Sequence, residues 1–147
     1  MILIIHSWLR WFILILALVI LVKSVLGMSG GKDYLKGDNA MASAFVGLLD
    51  LQLLFGLALY FWTSDITSNA WGGDVSPMKN ATIRYWAVEH ISIMIIAIAL
   101  AHIGKVKVKK ISDSAKKFKT QLIFFGIALL LILSRIPWGE SERLFRF

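Results

Sequence analysis

The stretch Ile2–Lys23, ILIIHSWLRWFILILALVILVK, decides the fold, because it stays apolar over a length that crosses a membrane. Only His6 and Arg10 break its apolar run before it ends at Lys23. A helix rises about 1.5 Å per residue, so roughly 20 apolar residues cross the hydrocarbon core. Three more such runs follow, none alternating with a period of two residues, which favours helices over barrel strands. We therefore predict an all-α, integral membrane four-helix bundle, with helices at 2–27, 40–62, 85–104 and 120–138.

The composition agrees with a single transmembrane domain over residues 1–147. Of the 147 residues, 58% are hydrophobic and 17% charged, whereas a soluble domain is about half apolar and a quarter charged. The absence of cysteine excludes disulfides, iron–sulfur clusters, c-type haem attachment and thiol nucleophiles. Phosphate-binding loops, zinc-binding helices and nucleophile elbows are absent from the sequence too. No residue is therefore predicted to be catalytic, and we expect a non-catalytic subunit.

The distribution of basic residues predicts the topology. The net charge is +7, but the lysines and arginines flank the apolar runs, so they do not indicate a nucleic-acid partner. Seven lysines lie between residues 105 and 119. The positive-inside rule then predicts a multi-pass protein in the lipid bilayer, with its first and third loops in the cytoplasm. Both termini would lie on the periplasmic side.

Two segments allow a second interpretation. The first apolar run could be a secretory signal, but it lacks a basic region before its apolar core, and we favour a retained helix. Residues 63–84 are rich in Gly, Ser, Asn and Asp, which predicts a loop. The segment is long enough to fold over one face of the membrane, but we favour a plain mobile loop.

Two histidines are predicted to reach the same depth in the bundle. His6 lies about 8 Å below the outer end of the first helix, and His90 lies about as far below the outer end of the third. The first and third helices run parallel, and ionisable side chains within a span usually face the bundle interior. Arg10 lies one turn deeper than His6 on the same face. We therefore expect the imidazoles of His6 and His90 to meet in the outer half.

These residues fit a b-type haem. Such an iron takes axial nitrogen ligands from facing helices, and His6 and His90 would supply them as metal ligands. Arg10 and Arg135 could hold the two propionates as bidentate partners. Gly56 lacks a Cβ and could make room for the ring, although glycine also serves ordinary helix packing.

Two alternatives remain open. In the first, His6 and His90 form hydrogen bonds between helices, and the chain is a haem-free structural subunit of a larger membrane assembly. The second is a quinone-binding module, whose pocket would be lined by Gln52, Tyr60, Glu89 and His90.

The other ionisable residues within the spans need partners. Asp50 lies within reach of Arg10, and Glu89 is expected to pair with Arg84 or Arg135. His102 lies near the cytoplasmic end on a different face from His90, so we expect it to snorkel or to bond a loop. With no fourth histidine, at most one bis-histidine haem can form.

Several blocks of the chain resemble a family of small four-helix bacterial membrane proteins labelled cytochrome b or cytochrome b-like. The similarity spans nearly the whole chain and rests on His6-Ser7-Trp8-Leu9-Arg10-Trp11, Gln52 to Tyr60, Arg84 with Val88-Glu89-His90, and Lys116 to Lys119 through Arg135-Ile136-Pro137-Trp138. The resemblance implies haem association through His6 and His90 in the bacterial inner membrane, in an electron-transfer setting. Since the chain has no domain outside the membrane, other subunits of a respiratory-type complex would be its partners.

Overall fold

Four long helices make up most of the computed structural model, which describes all 147 residues. All four are long and apolar enough to cross a membrane, and the structure contains no strands. The all-α fold with four spanning helices is thus confirmed. We call them spans 1 to 4: Ile2–Ser29, Lys36–Thr63, Ala81–Lys110 and Ser114–Ser134.

The spans extend further than the apolar runs at the end of the bundle that carries the lysines, here called the lysine-rich end. Span 3 continues to Lys110 and span 4 begins at Ser114, so only residues 111–113 interrupt them. The carboxylate of Asp113 caps span 4 by accepting a hydrogen bond from the Lys116 amide at 2.8 Å. The loop predicted at 105–119 is therefore mostly helical. The apolar runs predict only the part of each helix that lies in the hydrocarbon core. Lysine is a good helix former, so the lysine-rich segments extend the helices beyond these runs.

Span 4 ends at Ser134, four residues before its predicted end. Proline lacks an amide hydrogen, and it disfavours helical geometry in the residue before it. Pro137 therefore ends the helix early. The chain then turns back over the end of the bundle that holds both termini, here called the terminal end, and forms one further helical turn at Ser141–Leu144.

The spans pack in a closed ring, in which span 1 contacts spans 2 and 4, and span 3 contacts the same two. Phe45 and Phe125 are fully buried, with ring centroids 4.9 Å apart. Small residues let the backbones approach closely, as in other membrane bundles. Five alanines are almost entirely inaccessible in this core: Ala17, Ala42, Ala97, Ala101 and Ala128.

A polar network links span 1, the first loop and span 4 near the lysine-rich end. The Tyr34 hydroxyl donates to the Gln121 side-chain oxygen at 2.8 Å, and the Gln121 amide donates to the Ser24 hydroxyl at 2.9 Å. Ser24 donates in turn to the carbonyl of Ile20 at 2.8 Å. Burial raises the pKa of Tyr34 to about 12, so this hydroxyl stays a donor at neutral pH.

The connection between spans 2 and 3 is folded against the terminal end. It contains a helix, Asp65–Gly72, and a 3-10 turn, Pro77–Lys79. The Thr67 hydroxyl donates to the carbonyl of Tyr60 at 2.7 Å, and the Trp71 indole donates to the Tyr60 hydroxyl at 2.7 Å. The prediction of an irregular loop over 63–84 is therefore wrong for the helix Asp65–Gly72.

Gly104 tests how closely spans 3 and 4 pack. A Cβ added there would overlap the Cβ of Phe124 and lie 2.9 Å from its Cγ. Phe124 cannot swing its own Cβ away, so Gly104→Ala must separate the helices and should destabilise the protein by about 1–3 kcal/mol. The midpoint of unfolding by SDS in mixed micelles measures this.

Gly47→Ala is the matched control, because a Cβ added at Gly47 meets no atom within 4 Å. It gains the same helix propensity without a clash and should match or exceed wild-type stability. Equal stability of the two variants would contradict the close contact at Gly104.

Candidate functional site

A cavity of about 360 Å³ lies between the spans in the terminal half of the bundle. Its volume falls within the roughly 300–1,000 Å³ typical of small-molecule sites. All four spans contribute to its wall, together with the Asp65–Gly72 helix and the residues after span 4. Every site residue predicted from the sequence lines it: His6, Arg10, Gly56, His90 and Arg135.

His90 is held in one orientation by the end of span 4. It is the last residue of a π-helical segment, Tyr85–His90, and its Nδ1 lies 3.0 Å from the carbonyl oxygen of Arg135. Since a carbonyl can only accept, Nδ1 carries the hydrogen. In the neutral ring, Nε2 then keeps its lone pair. A carbonyl partner of this kind orients the imidazoles that bind metals in proteins.

His6 lies against span 2 at Gly56. A Cβ at Gly56 would lie 3.3 Å from the His6 Cε1, tighter than ordinary packing. The Gln52 side-chain amide donates to the backbone carbonyl of His6 at 3.0 Å, which fixes this approach. The space that Gly56 leaves is thus taken by the His6 imidazole. The predicted role of Gly56 beside a haem ring stays a prediction.

The two predicted arginines face the cavity with part of each guanidinium unused. Arg10 donates from Nη2 to the carbonyls of Arg143 and Leu144 at 3.2 and 2.9 Å. Arg135 lies with its Nη1 3.5 Å from a carboxylate oxygen of Glu89. The Nε of each arginine is buried and has no hydrogen-bond partner.

Unpartnered buried polar atoms are concentrated at this one site. Four buried side-chain atoms lack a hydrogen-bond partner, and all four belong to residues that line the cavity: His6 Nδ1, Arg10 Nε, Gln52 Oε1 and Arg135 Nε. More than nine in ten buried polar groups in proteins are paired, so such a cluster needs an explanation. A bound ligand with acceptors for the arginines and a donor for Gln52 would supply one.

Glu89 has the partners expected for it but lies outside the cavity. Its carboxylate binds the Nε of Arg84 at 3.0 Å and also contacts Arg135. It does not line the cavity, whereas the other members of the predicted quinone pocket do. The Tyr60 hydroxyl of that pocket already donates to the carbonyl of Ala87 at 2.8 Å.

The expected pairing of Asp50 with Arg10 is wrong. Asp50 binds the Nε2 of His102 at 2.8 Å, with 49% and 47% of the two side chains exposed. The expectation that His102 snorkels or bonds a loop is corrected by the same contact. Arg10 instead donates to the carbonyls of Arg143 and Leu144, which follow span 4. The sequence did not predict that this segment lies above span 1.

Glu89 balances two arginines, and its removal should destabilise the terminal half. Glu89→Gln leaves Arg84 and Arg135 without a counter-charge, and we expect a loss of about 1–2 kcal/mol, between an exposed ion pair and a buried charged hydrogen bond. Glu142→Gln removes an exposed glutamate that makes no ion pair and should have no effect. Unfolding of both variants in mixed micelles tests this, and equal midpoints would contradict the role of Glu89.

Comparison with known proteins identifies no relative of this chain. No family model, no curated protein and no solved structure matches it. The cavity and its side chains are therefore the observations from which a function can be inferred.

Proposed function

We propose that this chain is a membrane b-type haem protein, acting as an electron-transfer or accessory subunit of a respiratory-type complex. One observation carries the proposal. His6 and His90, from spans 1 and 3, line a single cavity, and all four unpartnered buried side-chain atoms belong to residues of its wall. Two imidazoles on different helices of a bundle are the donor set that a six-coordinate haem iron takes.

The residues present fit this group. His90 is oriented by the Arg135 carbonyl, which leaves its Nε2 available as a ligand atom. His6 has a buried Nδ1 without a partner, so no protein group competes for that nitrogen. Two protein ligands are enough for a haem iron, because the porphyrin would supply the other four nitrogens that bind it.

The chain would supply binding, orientation and electrostatics. A bound haem supplies one-electron transfer, and the protein tunes its potential through the ligands and their burial. His6 and His90 would be the axial ligands. Arg10 and Arg135 would donate their free Nε hydrogens to the propionates. The apolar side chains on the cavity wall exclude water from it: Leu49, Leu53, Met94, Ile98 and Ile132.

The setting follows from the basic residues and from size. The positive-inside rule favours a cytoplasmic lysine-rich end, so the first and third loops would face the cytoplasm of a bacterial cell. The cavity would then open near the periplasmic face of the inner membrane. A bundle of four spans would pass electrons to and from other membrane subunits.

A haem-free structural subunit is the second candidate. Its support is that several polar side chains of the cavity wall already join the spans without a ligand. Gln52 donates to the His6 carbonyl, Tyr60 to the Ala87 carbonyl, and His90 bonds the Arg135 carbonyl. This candidate does not explain why the buried Nε atoms of Arg10 and Arg135 have no hydrogen-bond partner.

A quinone module, with quinone as the cofactor, ranks third. The free atom of Gln52 is an oxygen and can only accept, and neither an oxidised quinone nor an ionised haem propionate has a donor for it. Only the reduced hydroquinone could donate to it. Glu89, which that pocket would need, is turned to Arg84 and Arg135 instead.

The histidines separate these candidates. Protein purified from haem-replete cells should show a Soret band and split visible bands on reduction. We expect His6→Gln and His90→Gln each to abolish these bands, since each removes one axial ligand. His102→Gln is the matched control, because His102 lies outside the cavity and glutamine can still donate to Asp50.

A folded, colourless wild-type protein that also fails to bind added hemin would contradict the proposal and favour the structural subunit. Quinone extracted from the purified protein, and lost in Gln52→Leu, would favour the third candidate. Retention of the haem bands in both His6→Gln and His90→Gln would show that the assigned ligands are wrong.

A further inference from the structure

The segment after span 4 forms part of the cavity wall. Residues 139–147, here called the C-terminal tail, place Arg143 and Arg146 in its lining. Side chains of span 1 hold the tail by its backbone. The indole of Trp8 donates to the Arg146 carbonyl at 2.8 Å, and that of Trp11 donates to the Leu144 carbonyl at 3.0 Å. The tail therefore has a fixed position without any ligand.

The tail makes the terminal end of the cavity strongly basic. Four arginines line it: Arg10, Arg135, Arg143 and Arg146. The sole acidic residue in the lining is Asp65, which makes no ion pair and begins the Asp65–Gly72 helix. Amides at a helix N-terminus stabilise a carboxylate there, so Asp65 does not need an arginine.

Two of these four arginines already contact a carboxylate. Arg135 lies against Glu89. Arg143 is paired with Glu140, and its guanidinium lies 4.8 Å from the centre of the Trp86 ring. The ion pairs of the structure include neither Arg10 nor Arg146. Arg10 and Arg146 thus have no ion-pair partner at this end of the cavity.

We propose that Arg10 and Arg146 together bind a dianionic end of the cavity ligand, which makes the tail part of the binding site. The inference rests on the proposed function, because the two propionates of haem are such a dianionic end. It adds Arg146 as a specificity-determining residue. Arg135 donates a hydrogen bond from Nε and shares the single negative charge of Glu89 with Arg84.

The fixed tail favours binding energetically. Arg10 bonds the tail carbonyls through Nη2, and its Nε remains free. The two guanidiniums are thus carried by elements already packed together before the ligand enters. A tail backbone that is already held need not be ordered on binding, so the charge of Arg146 contributes to affinity and selects ligands with two carboxylates.

Hemin and hemin dimethyl ester test this, because the ester keeps the iron and the ring but lacks both carboxylates. Each is titrated into the haem-depleted full-length protein, and the Soret absorbance gives its dissociation constant. Arg146→Gln should weaken hemin binding about tenfold or more, as expected for a lost charged hydrogen bond. Its affinity for the ester should equal that of the wild type.

Two further variants serve as controls. Lys79→Gln removes a positive charge from the connection between spans 2 and 3, outside the cavity lining, and should change neither affinity. Arg146→Lys keeps the charge and should retain most of the affinity for hemin. Equal melting temperatures of the haem-depleted variants verify that each is folded.

The outcomes separate this inference from the proposed function. If the wild type binds neither hemin nor the ester, both fail. Should hemin bind to Arg146→Gln as tightly as to the wild type, the haem protein stands and the role of Arg146 is wrong. A parallel loss of affinity for hemin and ester would mean that the tail acts by shape, which also overturns the inference.

Discussion

Pro137 imposes the constraint on which the terminal half of the molecule depends. It cannot continue a helix, so span 4 stops at Ser134 and the next carbonyls have no helical partner. The carbonyl of Arg135 is used instead by two side chains of span 3, the imidazole of His90 and the hydroxyl of Tyr85 at 2.9 Å. One helix end thereby orients the best candidate ligand. It also turns the tail back over the bundle.

The two halves of the bundle are built differently for a physical reason. Toward the lysine-rich end, Gly27 and Gly104 bring their helices against the rings of Phe118 and Phe124, which leaves no space between the spans. Toward the terminal end, large side chains line the space between the spans: those of His6, Arg10, Gln52 and His90. Close packing at one end thus keeps the bundle together while the other end encloses a cavity of about 360 Å³.

The spans, and the depth shared by His6 and His90, could be predicted because both follow from hydropathy and helical rise. The contact of Asp50 with His102 could not, because depth along a helix does not determine which neighbour a side chain meets. The tail was missed for a related reason. Span 1 holds it mainly by backbone carbonyls, such as those of Leu144 and Arg146, and any sequence has these. The early end of span 4 could have been predicted from Pro137 alone.

The protein itself supplies no hydrogen-bond partner for four buried side-chain atoms of the cavity wall. Leaving a buried donor or acceptor unpaired costs about 1–3 kcal/mol, and more for a charged group. A ligand that pairs these atoms recovers the cost, because whatever binds only the folded state stabilises it. The residues that carry these atoms would therefore make the stability of the bundle depend on the ligand.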